Sequence, residues 1–418
     1  MAPIRISGRM AISGSHAVSL TAQDDLTIRE LRLKFSEALS EKRQTATLCL
    51  MKDGELLSDA AALKSAGLSD GSQVELLQSA GMESVFTACN DCVARIFSLE
   101  TGQCIELQGH FGQVYTCILS PDQRHIVTAS EDGSARIWEF IQGSVVEKHL
   151  LKHAREVYSA VFSHSGNLVI TASQDNTAKL FQVDTGNLLW EFSHAGEVYL
   201  ATFSCDDELV LSASEDGRAA LILSDCGSSL FILDGHAGRP LSRAEFSPDG
   251  NLVVTASVDS TGCIWDRHSG TRRHVLRGCP SDVKHASFSA DSRQVFLTHA
   301  TGVVEVFCTA TGSCVWLLND HVEPVYLAAS CPRSRLVALG CEDGYATVWE
   351  LSSGQKSWTL AHADAVTWIS WSPAGDTLIT ASWDGTVKLW SAELGECLAS
   401  FEGHAGPAIY AEFGTLRL

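Results

Sequence analysis

The chain has 418 residues, with 30 Lys and Arg against 50 Asp and Glu, a formal net charge of −20. A surface that negative repels phosphate backbones and favours basic partners, which excludes nucleic acid as the expected ligand. No apolar run approaches the roughly 18 residues a membrane helix needs, MAPIRISG is not a signal peptide, and 14 cysteines at irregular spacing suit a reducing compartment. A soluble intracellular chain, cytoplasmic or nuclear, with no membrane contact is expected.

Residues 1–79 open with two strand-like runs, IRISG and AVSL. TIRELRLKFSEAL then places Ile28, Leu31, Phe35 and Leu39 on one helical face, with Thr27 and Glu30 forming a capping box at its start. ATLCLM and QVELLQ read as further strands, separated by KDGELLSDAAALKSAGLSDG with its Asp-Gly turns. This β-β-α-β-β order resembles the ubiquitin-like β-grasp fold over residues 3–79. The resemblance implies a small docking module, although several unrelated functions use that fold. Ubiquitin ends in a free Gly-Gly, whereas this chain continues through SAGMES, so conjugation is not expected. The linker at 80–83 is short.

From residue 84 the texture changes. A His-centred signal recurs at His110, His153, His194, His236, His321, His362 and His404, with Cys279 in a His position, at a mean spacing of 42 residues. Asp132, Asp175, Asp216, Asp343 and Asp384 each lie 22 residues after their His, and Asp259 lies 23 after. Six residues beyond each Asp stands a bulky apolar residue: Trp138, Phe181, Ile222, Trp265, Trp349 or Trp390. Each unit holds four short runs such as AVTWISW, TLITAS, TVKLWSA and ECLASFEG, broken by SPAGD, WDG and ELG, which predicts a four-stranded antiparallel unit. Through its GH, SPDG, S-x-D-G and IW-[DE] elements the chain resembles the WD40 repeat family over residues 84–418. That resemblance implies a mainly β protein built as a ring of blades, a β-propeller.

Seven blades are expected at about 110–152, 153–193, 194–235, 236–278, 279–320, 321–361 and 362–403. Two fragments remain. Residues 84–109, with Asp91 followed six residues later by Phe97, have the marks of second, third and fourth strands; residues 404–418 have those of a first strand. Sharing one blade between them would join the ends of the ring by ladder hydrogen bonds, making eight blades. A seven-bladed ring with a loose fragment is the alternative.

The repeated histidines resemble the family's structural hydrogen-bond network. The resemblance implies a buried chain Asp–His–Ser–Trp in each blade, complete in His110/Ser130/Asp132/Trp138, His236/Ser257/Asp259/Trp265 and His362/Ser382/Asp384/Trp390. His153 with Asp175, His194 with Asp216, His321 with Asp343 and Trp349, and His404 with Asp91 are partial sets. Where His becomes Cys279, the aligned Asp becomes Thr301, so the loops of that blade are expected to be unpinned. Seven near-copies do not describe an active site, and no unique nucleophile–base or metal-ligand constellation stands out. No enzyme, cofactor or metal is expected. Cys89 and Cys92, the one C-x-x-C, occupy the repeat's Ser and Gly positions.

Function is then sought at positions that differ between blades. Five residues after the His, at the start of the inner strand, the sequence reads Tyr115, Tyr158, Tyr199, Leu241, Lys284, Tyr326, Thr367 and Ile409. The residue before each Asp, on the same rim, is Glu131, Gln174, Glu215, Val258, Glu342 or Trp383. An aromatic and acidic arc of this kind suits Lys or Arg side chains. Equally, tyrosine is a good strand residue whose ring can simply lie over a neighbouring blade. The expected function is a non-enzymatic scaffold whose propeller binds a protein or a basic peptide. The alternative is a ubiquitin-pathway adaptor, residues 1–79 docking on a proteasome or ubiquitin receptor while the ring selects a client. Some WD40 proteins serve cullin ligases through W-D-x-R; here Trp265-Asp266-Arg267-His268 carries the Arg one place early.

Overall fold

The computed structural model describes residues 4–10, 17–22, 47–52, 55–56, 73–79, 82–141 and 144–416, with side chains described from residue 83 onward. The chain forms two compact units, 1–82 with 417–418, and 83–416. In the first, β1 (Ile4–Met10), β2 (Ala17–Ala22), β3 (Thr47–Lys52), β4 (Glu55–Leu56) and β5 (Gln73–Ser79) form one sheet in the order β2-β1-β5-β3-β4. β1 and β5 run parallel and the other pairs antiparallel. The helix expected at 27–39 lies outside the described residues.

The second unit is an eight-bladed β-propeller: eight sheets of four antiparallel strands, with no helix among the described residues. Seven blades are consecutive, with strands spanning 114–152, 157–193, 198–234, 241–277, 283–319, 325–361 and 366–401. The eighth is assembled from both ends of the unit. Ala408–Leu416 is its inner strand, paired to Met82–Cys89, with Ala94–Ser98 and Cys104–Leu107 outside. The Asn90 N–H donates to the Pro407 carbonyl at 3.0 Å, continuing the pairing into the turn. Phe97 packs on Phe401 of the seventh blade with centroids 5.3 Å apart, and Val85, Ile379, Ala408 and Ala411 join them in one core. Eight blades are therefore present, and the seven-bladed alternative falls.

Exposure follows strand position. Second strands such as His125–Ser130 and Leu252–Ser257 are buried at every residue. They carry the continuous runs HIVTAS and LVVTAS because blades cover both of their faces. Outer strands alternate, as in Leu188–Ser193. The turn after each landmark position takes left-handed backbone: Gly302, which follows Thr301 in the fifth blade, has φ +82°, and a Cβ there would sit 2.3 Å from the His321 carbonyl oxygen of the next blade. Side chains do occupy this turn in Asn176, Ser260 and Cys92, at φ between 66° and 71°.

Candidate functional site

Each inner strand of the seven consecutive blades carries a register shift at its start. In the first blade Val114 pairs with Ser130 and Thr116 with Ala129, leaving Tyr115 as the extra residue of a β-bulge. Tyr158, Tyr199 and Tyr326 occupy the same place in their blades. A bulge re-aims the unpaired side chain, so these rings leave the ladder instead of alternating with it. In the fourth blade the bulged residue is Ser242, not Leu241. The extra residue between His236 and Asp259 displaces the count, and Leu241 takes the buried place of Val114.

Tyr115, Tyr158 and Tyr199 form a continuous arc, with ring centroids 5.8 and 5.6 Å apart and all three half-buried. The Tyr115 hydroxyl donates to Glu156 at 2.9 Å and that of Tyr158 to Glu197 at 2.8 Å, each carboxylate belonging to the next blade. Burial, and then these carboxylates, hold both phenols far above their ordinary range, so they remain neutral donors. The chain of contacts stops at Tyr199 because Pro240 stands where the next acid would be. Glu156 and Glu197 were missed in the sequence. Their signal was present in E-V-Y, a Glu two residues before Tyr158 and Tyr199.

The named rim residues surround this arc unevenly. Glu131, Glu215 and Glu342 are exposed, and Glu131 accepts the Gln113 N–H at 3.2 Å. Gln174 is half-buried. Tyr326 stands apart from the arc and instead lies 6.5 Å from Trp383, which is itself 46% exposed. Below the tyrosines the inner strands enclose a cavity of about 370 Å³ reaching Arg243, Glu245 and Tyr410. Burial raises the Glu245 and Glu412 carboxyls, and burial followed by the Arg243 charge holds His285 well below its usual value.

The histidines fasten the rim. His110 Nδ1 lies 2.8 Å from Asp132, whose carboxylate also accepts the Phe111 and Ser134 N–H groups, tying two loops together. The Asp fixes the tautomer: Nδ1 donates, so Nε2 accepts the Thr128 hydroxyl at 2.7 Å, and Thr128 in turn accepts the Trp138 N–H at 2.9 Å. Thr128, not Ser130, therefore links imidazole to indole. Thr255 and Thr380 do the same for His236 with Trp265 and His362 with Trp390. Ser130, Ser257 and Ser382 instead donate to backbone carbonyls and accept the N–H of Asp132, Asp259 and Asp384. Thr171 and Ser212 serve His153 and His194, whose Nδ1 atoms face Asp175 and Asp216 at 2.9 and 3.2 Å. With His321, bound to Asp343 at 2.7 Å, the shared hydroxyl comes from Thr347, which also takes the Trp349 N–H.

Two blades depart from the pattern. In the closing blade Arg95 contacts both Asp91, at 2.8 Å, and His404 Nδ1, at 3.0 Å. The expected His404–Asp91 bond is replaced by this bridge, and Asp91 reaches the closing strand through the Ala405 N–H at 3.0 Å. In the fifth blade the pair has moved. Glu305 accepts the Cys279 N–H at 3.0 Å and meets His299 Nε2 at 3.0 Å, while His299 Nδ1 reaches the Ser281 carbonyl. Its loops are pinned by other residues.

Cys89 and Cys341 stand at the Ser position and donate to the Gly406 and Glu323 carbonyls. Burial pushes the Cys89 thiol up to about 11 and Cys341 up to about 12. Cys89, Asp91 and His404 come together, as do His321, Cys341 and Asp343. The first cluster holds the Arg95 guanidinium and the second is engaged by Thr347 and backbone, so both read as parts of the network. Arg267 is buried, bound to Asp206 of the third blade at 2.6 Å and to the Gly250 carbonyl, which leaves it no free face for docking.

Four segments, residues 102–139, 145–182, 227–266 and 354–391, match the family "WD domain, G-beta repeat". The chain is similar to WD repeat-containing protein SL1-17 of Schistosoma mansoni, 27% identical over 40% of this chain and 55% of that protein. It is 27% identical to the angio-associated migratory cell protein of Homo sapiens, over 40% of this chain and 42% of that one, and 28% identical to apoptotic protease-activating factor 1 of Danio rerio, over 39% and 13%. The match thus spans about half or less of these relatives. The crystal structure of the computationally designed Ika8 protein superposes with a TM-score of 0.66 at 25% identity, covering 75% of this chain and 96% of that one. Eight blades of this construction, with the repeat matches, support the WD40 β-propeller family. Proteins of that family typically act as scaffolds that bind other proteins.

Proposed function

We propose that the protein is a non-enzymatic interaction scaffold whose ring takes a basic peptide or protein loop across Tyr115, Tyr158 and Tyr199. One observation carries this reading: the bulged tyrosines form an arc of tilted, half-exposed rings in contact, backed by carboxylates of the neighbouring blades. Each ring–cation contact contributes about 0.5–2 kcal/mol depending on how dry it is. The negative ring adds a salt-screened attraction over about 10 Å at moderate ionic strength. Tyr326, Glu131, Gln174, Glu215, Glu342 and Trp383 extend the surface around the rim. Replacing the three tyrosines by Ala in the full chain is expected to abolish capture of an Arg/Lys-rich peptide while the ring still melts cooperatively, and added salt is expected to weaken capture by degrees. Undiminished capture by the triple variant would remove the arc from the reading.

A second reading has its own support. The parallel pairing of β1 with β5 in the first unit requires a crossover of the kind the β-grasp resemblance implies. On that reading residues 1–79 are a ubiquitin-like module docking on a proteasome or ubiquitin receptor, and the ring selects the client. Loss of such receptors from affinity purifications on removal of residues 1–80, with peptide capture retained, is the result expected.

A further inference from the structure

The face opposite the tyrosine arc carries a feature of the other sign. Inner strands run from the His loops to the far end of the ring, so the turns that follow them lie on that far face. There the fifth and sixth blades enclose a groove of about 530 Å³ lined by Arg293, Arg333 and Arg335. Residues 81–418 hold 21 Lys and Arg against 40 Asp and Glu, so three arginines on one groove are a local inversion of the ring's charge. Among the described residues none of the three forms an ion pair, whereas Arg95, Arg136, Arg218, Arg267 and Arg273 each hold a carboxylate. All three are exposed, and Arg333 is oriented by its Nε, which donates to the Pro373 carbonyl at 3.1 Å.

The one acid on the groove is Asp291. Burial opposes its charge, but the Ser289 hydroxyl and the Arg293 N–H, and then the nearby Arg293 and Arg335 charges, hold its carboxyl below the ordinary range, so the three arginines outnumber it there. Asp291 Oδ1 accepts the Ser289 hydroxyl at 2.7 Å and the Arg293 N–H at 3.1 Å, shaping its own turn.

We infer that this groove is an anion site for a phosphorylated segment of a partner protein, the phosphate held by Arg293, Arg333 and Arg335. Guanidinium forks match phosphate oxygens two at a time, and such charge-assisted bonds are about twice as strong as neutral ones. The volume far exceeds a phosphate ion, and Val315, Pro332 and Leu351 give the groove apolar walls, which suits flanking side chains of a peptide.

The test uses the full chain and a fluorescent degenerate peptide pool with one fixed central phosphoserine, read by anisotropy beside the same pool with serine. The phosphorylated pool is expected to bind at least tenfold more tightly. Arg333→Glu with Arg335→Glu is expected to remove that difference, and Arg293→Ala to reduce it severalfold, with melting unchanged. The Tyr115, Tyr158 and Tyr199 triple variant is expected to keep it, so failure here and failure of the basic-peptide reading are separable. Equal binding of the two pools, or a difference that survives the charge reversal, would overturn the inference. Displacement by inorganic phosphate at the peptide's own affinity would overturn the peptide as its source.

Discussion

At the scale of single residues the fifth blade is the most informative. Its carboxylate has moved from the turn, where Thr301 stands, to the third strand, and its imidazole from position 279 to His299 in the Ser position. Glu305 and His299 are both almost fully buried, and Glu305 fills the space where a Cβ on Gly278 would fall. Removing the carboxylate leaves the Cys279 N–H without its acceptor and His299 Nε2 without its partner. Glu305→Ala is therefore expected to destabilise the ring by about 1–3 kcal/mol, read by denaturant unfolding. Adding Thr301→Asp to that variant is expected to restore nothing, because no imidazole at 279 faces it. An unchanged unfolding midpoint for Glu305→Ala would show that the pair is not what holds these loops.

At the scale of strands, two devices shape the molecule. The bulge recurs in all seven consecutive blades, and what varies is the residue it turns outward: Tyr, Ser, Lys or Thr. The backbone is thus a constant frame for a variable rim. The second device is the closing strand Ala408–Leu416, which completes the sheet begun by Met82–Cys89. Deleting residues 404–418 would leave Met82–Cys89 as an open edge of unpaired backbone groups and uncover Val85 and Phe97. The deleted protein is expected to elute as aggregates in size-exclusion chromatography and to lose cooperative melting. A monomer that melts like the full chain would mean the ring does not depend on this closure.

For the whole molecule, acid acts through the buried histidines of six blades. Burial lowers His110, His153, His194, His236, His362 and His404 below the usual imidazole value, which keeps them neutral. Because the unfolded histidines take up protons first, their contribution is complete above about pH 6.5 and is lost as pH falls from there. Burial opposes the charge of Asp175 and Asp384, but hydroxyl and backbone N–H donors outweigh it and hold both at about 2. Their contribution is present above about pH 4 and drains as pH falls toward 2. Both signs agree, so the melting temperature is expected to fall continuously from just below pH 6.5, well before ordinary carboxylates titrate. A melting temperature flat between pH 6.5 and 4.5 would contradict the neutral assignment of the histidines.

Period and hydrophobic pattern made the eight-bladed propeller and its shared closing blade readable from the chain alone. These depend on local strand and turn preferences repeated in register, and burial on both faces leaves an unmistakable apolar run such as HIVTAS. The sequence also located Tyr115, Tyr158 and Tyr199, because their equivalence is a matter of counting. Counting failed where one residue was inserted, at Leu241, and where partners are chosen by distance in space. Thr128 in place of Ser130, Arg95 between Asp91 and His404, Glu156 under Tyr115, and His299 with Glu305 all depend on which side chains reach one another once strands and blades are packed. A hydrogen bond requires atoms about 3 Å apart at a suitable angle. Sequence spacing determines which strand a residue is on, and only the tertiary structure brings two atoms to that distance.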